Sequence, residues 1–324
     1  MGHEAFQLDP ERFVPAHRAA QRVNFELGAL VWERQVRQRV MASVQDRSFD
    51  CVWVNGGRTV GPKLIRALRD RFGPVVNHNV DNPFANRDRG AWMLFKRSVS
   101  AYDLLAVVRR ENLEDARRLG AKRVMFHFRT ADEVAHAPRP LTEAEISKWS
   151  SELAFVGTAL PREGRGRFIE QLLERQIPIS VVGDHWQRLP EWDRIKSAWR
   201  CEGTRVDADY SAAILGSKVC LCLLSSGNHD LHTTRTAEVP ALGRVLCAPR
   251  TKDHLELYKE WEEAVFFDDA PECAEAVKRL LADDAIRERI AQQGRAKCQK
   301  LGLYNEPFCR TVLAELLAPA SAAT

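Results

Sequence analysis

Two acids, Asp230 and Glu238, two histidines, His229 and His232, and Arg235 crowd the stretch 224–238. An apolar run, Val219 to Leu224, precedes it and reads as a buried strand. A helical pattern from Thr234 to Leu242, closed by Gly243, follows it, and Val245 to Ala248 opens the next strand. A strand-to-helix loop in which Thr233 or Thr234 caps the helix presents backbone N–H groups and the positive end of the helix dipole. That is a site for an anion. Arg235 adds a permanent positive charge, and Glu238 lies one turn further on, near the same face.

These residues carry a resemblance. Asp230 and Glu238, seven residues apart in the gap between them, resemble the paired acids of many nucleotide-sugar glycosyltransferases, with Asp replacing the usual first Glu. Arg235-Thr236-Ala237-Glu238 with Ala241-Leu242-Gly243 is similar to a segment of the spore-maturation (CgeB-type) glycosyltransferases, Ala237 standing where Phe is usual. The resemblance implies that Glu238 holds the donor's ribose while Arg235, Thr233 and Thr234 at the helix start face its diphosphate.

The chain around this stretch has an ordinary globular composition. With 324 residues the chain is long for one core and suggests two domains. Hydrophobic residues make up 45% and charged residues 28%, and the net charge is only +4. No Lys/Arg block marks a terminus, which argues against nucleic-acid binding. No run approaches the ~18 apolar residues of a membrane span, and the start carries no signal-peptide pattern. The eight cysteines fall mostly in apolar runs and read as the reduced core thiols of a cytoplasmic protein. The alternation of His229, Asp230 and His232 lacks a fixed second cluster, so no metal site is expected.

The chain begins unusually. Gly2-His3-Glu4-Ala5 resembles the second strand of the first domain in CgeB-type proteins, so Glu4 to Leu8 reads as a strand whose parallel neighbour is absent. Either the start is assigned too late, or the domain has rebuilt its sheet without a first strand; an exposed edge would leave homodimerisation open. Residues 16–46 form one helical pattern weakened at Gly28. Strand, turn and helix then alternate: 50–54, Pro62 to Arg71, 74–80, 103–108, 112–119 and 122–128. This alternation argues for a parallel, doubly wound sheet. His78, Asn79, Asp81 and Asn82 follow the second of these strands and resemble a polar segment of the same family. They either face a ligand crevice or form a turn in which Asp81 or Asn82 caps a helix from about Asn86.

Residues 129–150 change composition and read as an interdomain crossing. A second sheet then starts at Glu152 to Thr158. The loop beyond it, with Arg162, Gly164, Arg165, Gly166 and Arg167, suits an anionic pyrophosphate. It resembles the opening of the family's donor domain, with Gly157, Arg162 and Arg167 as donor contacts. Gly183 and Trp186 end a later strand and would flank the nucleotide base. Asp253-His254-Leu255 and Ala264 to Asp268 also match the family pattern. The segment Tyr304 to Leu317 turns Thr311, Val312 and Leu316 to an apolar surface, and the Ala/Ser/Pro-rich tail from Ala318 reads as unstructured.

The resemblance implies an α/β protein of two Rossmann-like domains with parallel sheets facing a cleft, the GT-B architecture. Residues 1–140 would form the acceptor side, 150–302 the donor domain, and 303–324 a crossing helix and tail. The function implied is transfer of a sugar from a nucleoside-diphosphate sugar, most simply a UDP-sugar, to a small-molecule, glycan or protein acceptor, with no metal or cofactor. Asp230 and His229 would orient the sugar, and His78 or Asp81 would reach in from the first domain. A nucleotide-sugar epimerase and a non-catalytic nucleotide-sugar or partner-binding protein are the alternatives.

Overall fold

The computed structural model describes residues 2–160, 162–201, 203 and 207–318. The chain divides into two compact units: one runs to Phe128 and resumes at Cys309, and the other comprises Arg129–Phe308.

The first unit opens with α1 (Arg18–Leu27) and α2 (Glu33–Ser43), joined through a 3-10 segment, Gly28–Trp32. The helical pattern breaks at Gly28 for a steric reason. Gly28 has φ +64°, and a Cβ there would come within 2.9 Å of the Gly90 carbonyl oxygen. There follow β1 (Val52–Asn55), α3 (Pro62–Phe72), β2 (Val75–Asn79), α4 (Met93–Ser98), β3 (Leu104–Val107), α5 (Glu111–Arg118) and β4 (Val124–Phe126). The strands pair in parallel in the order β1-β2-β3-β4. Pro62 starts α3, whose Leu64, Ile65, Leu68 and Phe72 are buried in one core with Val75 and Leu105. Each such side chain contributes roughly 1.5–3 kcal/mol.

Two expectations for this unit are corrected. Glu4 to Leu8 forms no strand, so β1 is an edge of the sheet. The segment is docked by side chains instead: Phe6 stacks on Phe49 at 6.1 Å, and Phe49 meets Phe72 edge-on at 5.0 Å. No helix starts near Asn86; turns continue to Trp92. Asn82 organises them, its Oδ1 accepting from the Phe84 and Ala85 amides at 3.2 Å.

The second unit contains α6 (Glu143–Trp149), β5 (Ser151–Val156), α7 (Arg165–Glu174), β6 (Ile179–Val182), α8 (Trp192–Ile195), β7 (Trp199–Cys201), α9 (Asp207–Leu215), β8 (Ser217–Leu221), α10 (Arg235–Ala241), β9 (Val245–Pro249), α11 (Lys252–Leu257), β10 (Val265–Phe267), α12 (Ala270–Ala282) and α13 (Asp284–Lys300). The final helix, α14 (Asn305–Leu317), begins in the second unit and ends in the first. The second sheet is parallel with order β10-β9-β8-β5-β6-β7. The chain winds outward from β5 to β7, then returns to the other side of β5 with β8. The carboxyl ends of β5 and β8 therefore flank the topological switch point of a doubly wound sheet, where such folds bind ligands.

Residues 129–150 are structured and belong to this second unit. Ala131 bridges to Tyr304, and Thr142 and Glu145 form a capping box at the start of α6. In α14, Val312 and Leu316 are buried as expected, whereas Thr311 is exposed. Arg123 donates to the Glu315 and Leu316 carbonyls at 2.6 and 3.2 Å, covering groups that the helix end leaves without a partner. The tail past Ala318 lies outside the described residues. All eight cysteines are free thiols. Among the described residues no helix is long and apolar enough to cross a membrane.

Candidate active site

The carboxyl ends of β5 and β8 lead into two loops, 157–164 and 222–234, and the candidate residues of the second unit collect there. Gly157 accepts no side chain: a Cβ would lie 2.9 Å from Phe155 Cζ and 3.5 Å from Arg235 Nη2. The Arg235 and Arg165 guanidinium carbons each lie 5.9 Å from the Phe155 ring centroid. Two cations are thus held at the mouth of one pair of strands. Burial, and then the charge of Arg235, push the Arg165 pKa down. In both side chains the Nε hydrogen is buried without a partner among the described residues. Such a place favours an anion.

Of the three arginines that suit a pyrophosphate here, Arg165, the first residue of α7, is the buried one. Its Nη1 donates to the Thr158 carbonyl at 2.7 Å and its Nη2 to the Leu224 carbonyl at 3.3 Å, tying both loops together. Arg162 and Arg167 are exposed. Gly183 and Trp186 also differ from expectation. A Cβ at Gly183 would fall 2.1 Å from the Gly157 carbonyl oxygen, and Trp186 Nε1 donates to that same oxygen at 2.9 Å. The Trp186 indole is fully buried and has no face for a nucleotide base. Both residues fix the Gly157 turn from behind.

Glu238 sits on α10 and is 8% exposed. The Tyr210 hydroxyl donates to its Oε2. His136 Nε2 stands 3.7 Å from its Oε1, while His136 Nδ1 accepts from the Asp132 amide at 2.9 Å. The accepting Nδ1 places the imidazole hydrogen on Nε2, toward the carboxylate. Tyr210 and His136 have no spacing signal in the sequence, since they come from α9 and from the stretch before α6. Asp230 lies 3.8 Å from Arg129 Nη2, and His229 is an exposed residue with φ +55°.

The start of α10 departs from the sequence reading. Neither Thr233 nor Thr234 caps the helix through its side chain. Instead the Thr233 amide donates to Thr236 Oγ1 at 3.0 Å, so that amide is already used. Thr236 Oγ1 lies 3.0 Å from His254 Nε2, and His254 Nδ1 lies 2.7 Å from the Pro249 carbonyl. The carbonyl can only accept, so His254 donates through Nδ1 and takes the Thr236 hydroxyl hydrogen on Nε2. His232 Nδ1 pairs with Asp253 Oδ2 at 2.8 Å, and its Nε2 accepts from the Arg129 amide at 3.2 Å. Burial is the main cause of its lowered pKa, opposed by Asp253. Asp253 and His254 therefore support the loop from beneath. Ala237 is fully buried, and its carbonyl faces Cys298 of α13 at 3.6 Å.

His78 and Asp81 belong to the first unit. His78 Nδ1 lies 3.2 Å from Asn55 Oδ1, and its ring meets Trp53 at 5.9 Å and His127 at 5.1 Å. Asp81 is exposed just beyond β2. His127 was missed because it directly ends a strand and has no patterned neighbour. Among the described residues no group of three or more His, Cys, Asp or Glu is placed to hold a metal ion.

Residues 162–306 match the family described as glycosyl transferase-like. Comparison with curated protein sequences finds no match. Among solved structures, the chain is similar to Alr3699/HepE of Anabaena in complex with UDP-glucose, at 12% identity and TM-score 0.62, covering 92% of this chain and 90% of that one. It is similar to sucrose-phosphate synthase from Thermosynechococcus elongatus at 17% identity and TM-score 0.62, covering 88% and 77%. A UDP-forming α,α-trehalose-phosphate synthase from Burkholderia xenovorans aligns at 14% identity and TM-score 0.59, covering 95% and 81%. The α/β fold with two parallel sheets is that of GT-B glycosyltransferases.

Proposed function

We propose that the chain is a glycosyltransferase of the CgeB type that moves a sugar from a nucleoside-diphosphate sugar, most simply a UDP-sugar, to an acceptor hydroxyl. One observation carries the reading: Arg165 and Arg235 flank the switch point, with the carboxylate of Glu238 on the same helix as Arg235. The two guanidinium groups suit a diphosphate, and Glu238, held by Tyr210 and His136, suits a pair of ribose hydroxyls.

The chemistry needs little beyond this. The bond between the sugar's anomeric carbon and the diphosphate oxygen breaks, and a bond to the acceptor oxygen forms. The acceptor's proton leaves to a base or to the departing phosphate. Fixed guanidinium charges stabilise the charge that develops on the leaving diphosphate, which is why we assign the step without a metal ion. Asp230 and His229 are the residues we assign to the sugar, and His78 and Asp81 of the first unit those we assign to the acceptor side.

Calorimetry with UDP, uridine and a panel of nucleotide sugars, repeated in EDTA, tests this reading. UDP should bind more tightly than uridine, with slow hydrolysis of one nucleotide sugar that EDTA leaves unchanged. Inversion of a sugar hydroxyl would make the protein an epimerase, and absence of UDP binding would remove the catalytic reading.

A further inference from the structure

One carboxylate at the switch point has no place in the proposed transfer. Glu163, in the loop after β5, reaches the loop after β8. Its Oε1 accepts from Ser225 Oγ at 2.7 Å and from the Gly227 amide at 3.3 Å. Its Oε2 accepts from the Ser226 amide at 2.7 Å and from Ser226 Oγ at 2.9 Å. Two amides and two hydroxyls converging on one anion form a cradle of the kind that backbone turns offer to phosphate. Burial works against the charge, but the bonds from Ser225, Ser226 and Gly227 hold the carboxyl below its usual range, so it is ionised at neutral pH.

Two further features favour its displacement by an incoming anion. Arg162 and Gly164, on either side of Glu163, have φ +66° and +67°. Arg162, unlike the glycine, is strained in that region, so its turn can relax when Glu163 lets go. Arg165, next in the chain, is only 7% exposed and keeps its Nε without a partner while clamping the carbonyls of both loops. A phosphate satisfies the same four donors as a carboxylate and brings more negative charge to Arg165 and Arg235. Exchange therefore favours the phosphate.

We propose that the Ser225–Gly227 cradle is a phosphate subsite which Glu163 occupies in the ligand-free chain and which an incoming diphosphate takes over. The identity of that diphosphate as part of a nucleotide sugar rests on the proposed function; the cradle itself does not. Inorganic pyrophosphate is therefore the probe.

Calorimetry at pH 7 and constant ionic strength should find that Glu163→Ala binds pyrophosphate about tenfold more tightly than the wild type, because no internal anion competes. Glu163→Gln should give a smaller gain. Adding Ser225→Ala and Ser226→Ala to Glu163→Ala should return the affinity toward the wild-type value. Equal or weaker pyrophosphate binding by Glu163→Ala at unchanged melting temperature would overturn the proposal and make Glu163 a permanent strut. Should Glu163→Ala melt early, Glu163→Gln decides by the same criterion. A gain that survives loss of both serine hydroxyls would also overturn the cradle. The donor reading fails separately, if wild-type protein binds UDP no better than pyrophosphate.

Discussion

Replacing Glu238 separates ligand recognition from support of the fold. The carboxylate is 8% exposed, accepts from Tyr210 through Oε2, and faces His136 through Oε1 at 3.7 Å. In Glu238→Ala the Tyr210 hydroxyl loses its acceptor in a buried setting, at a cost of about 1–3 kcal/mol to stability. If the carboxylate also holds ribose, charged hydrogen bonds of about 1.5–3 kcal/mol disappear from binding, a loss of roughly 10- to 100-fold in UDP affinity. Glu238→Gln keeps an acceptor for Tyr210 but not the charge. It should melt near the wild-type temperature and still bind UDP several-fold more weakly. Calorimetry with UDP alongside thermal unfolding gives both numbers. A Glu238→Ala protein that melts early yet binds UDP normally would refute the ribose assignment and reduce Glu238 to the partner of Tyr210.

Arg235→Lys should weaken UDP by about tenfold or more and leave uridine unaffected, because an ammonium cannot reproduce the planar fork; equal losses for both ligands would place Arg235 away from the phosphates. His254 gives a pH prediction. It is fully buried, and burial, with His232 nearby, pulls its pKa down to about 4 against the bond to Pro249. The folded value lies below the unfolded one, so stability is complete above about pH 6.5 and falls by about 3 kcal/mol as pH drops toward 4. The lowered pKa of His232 adds with the same sign. Urea unfolding at pH 7 and pH 4.5 measures it, and His254→Gln should flatten the difference; an unchanged slope would show that His254 is not the titrating group.

The parallel α/β alternation was legible because apolar runs such as Val219 to Leu224 and the breaks at Gly243 and Gly28 are local signals. The acids and Arg235 were legible because they lie close together in one short stretch, 230–238. Which of Arg162, Arg165 and Arg167 turns inward was not, because the three lie close together at one strand-to-helix junction and only the fold decides. Tyr210 and His136 reach Glu238 from distant parts of the chain, and no periodicity encodes that meeting. Glu4 to Leu8 misled for the converse reason. Its alternation fits a strand, but its Phe6 is held by Phe49 rather than by a ladder. Trp186 and Gly183 look like ligand residues at a strand end, yet they serve the close approach of two turns.

The placement of Arg235 depends on residues that touch no ligand, and Thr236→Val tests this. The helix that carries Arg235 has only seven residues and contains Pro240, so it has little stability of its own. The Thr236 hydroxyl ties its start to the core: Oγ1 accepts from the Thr233 amide and donates to His254 Nε2. The Tyr258 hydroxyl holds the Thr236 carbonyl at 2.9 Å. Valine matches threonine in shape but removes both hydroxyl bonds, leaving the Thr233 amide and His254 Nε2 buried without partners. The expected loss is about 2 kcal/mol of stability. Freed from this anchor, the helix start no longer fixes Arg235 beside Phe155, and UDP should bind about fivefold more weakly although no atom facing the ligand has changed. Thr236→Ser restores the hydroxyl and should restore both properties. If Thr236→Val loses stability while UDP affinity stays at the wild-type value, Arg235 is held by the β5 and β8 loops alone, and the support from His254 serves folding rather than recognition.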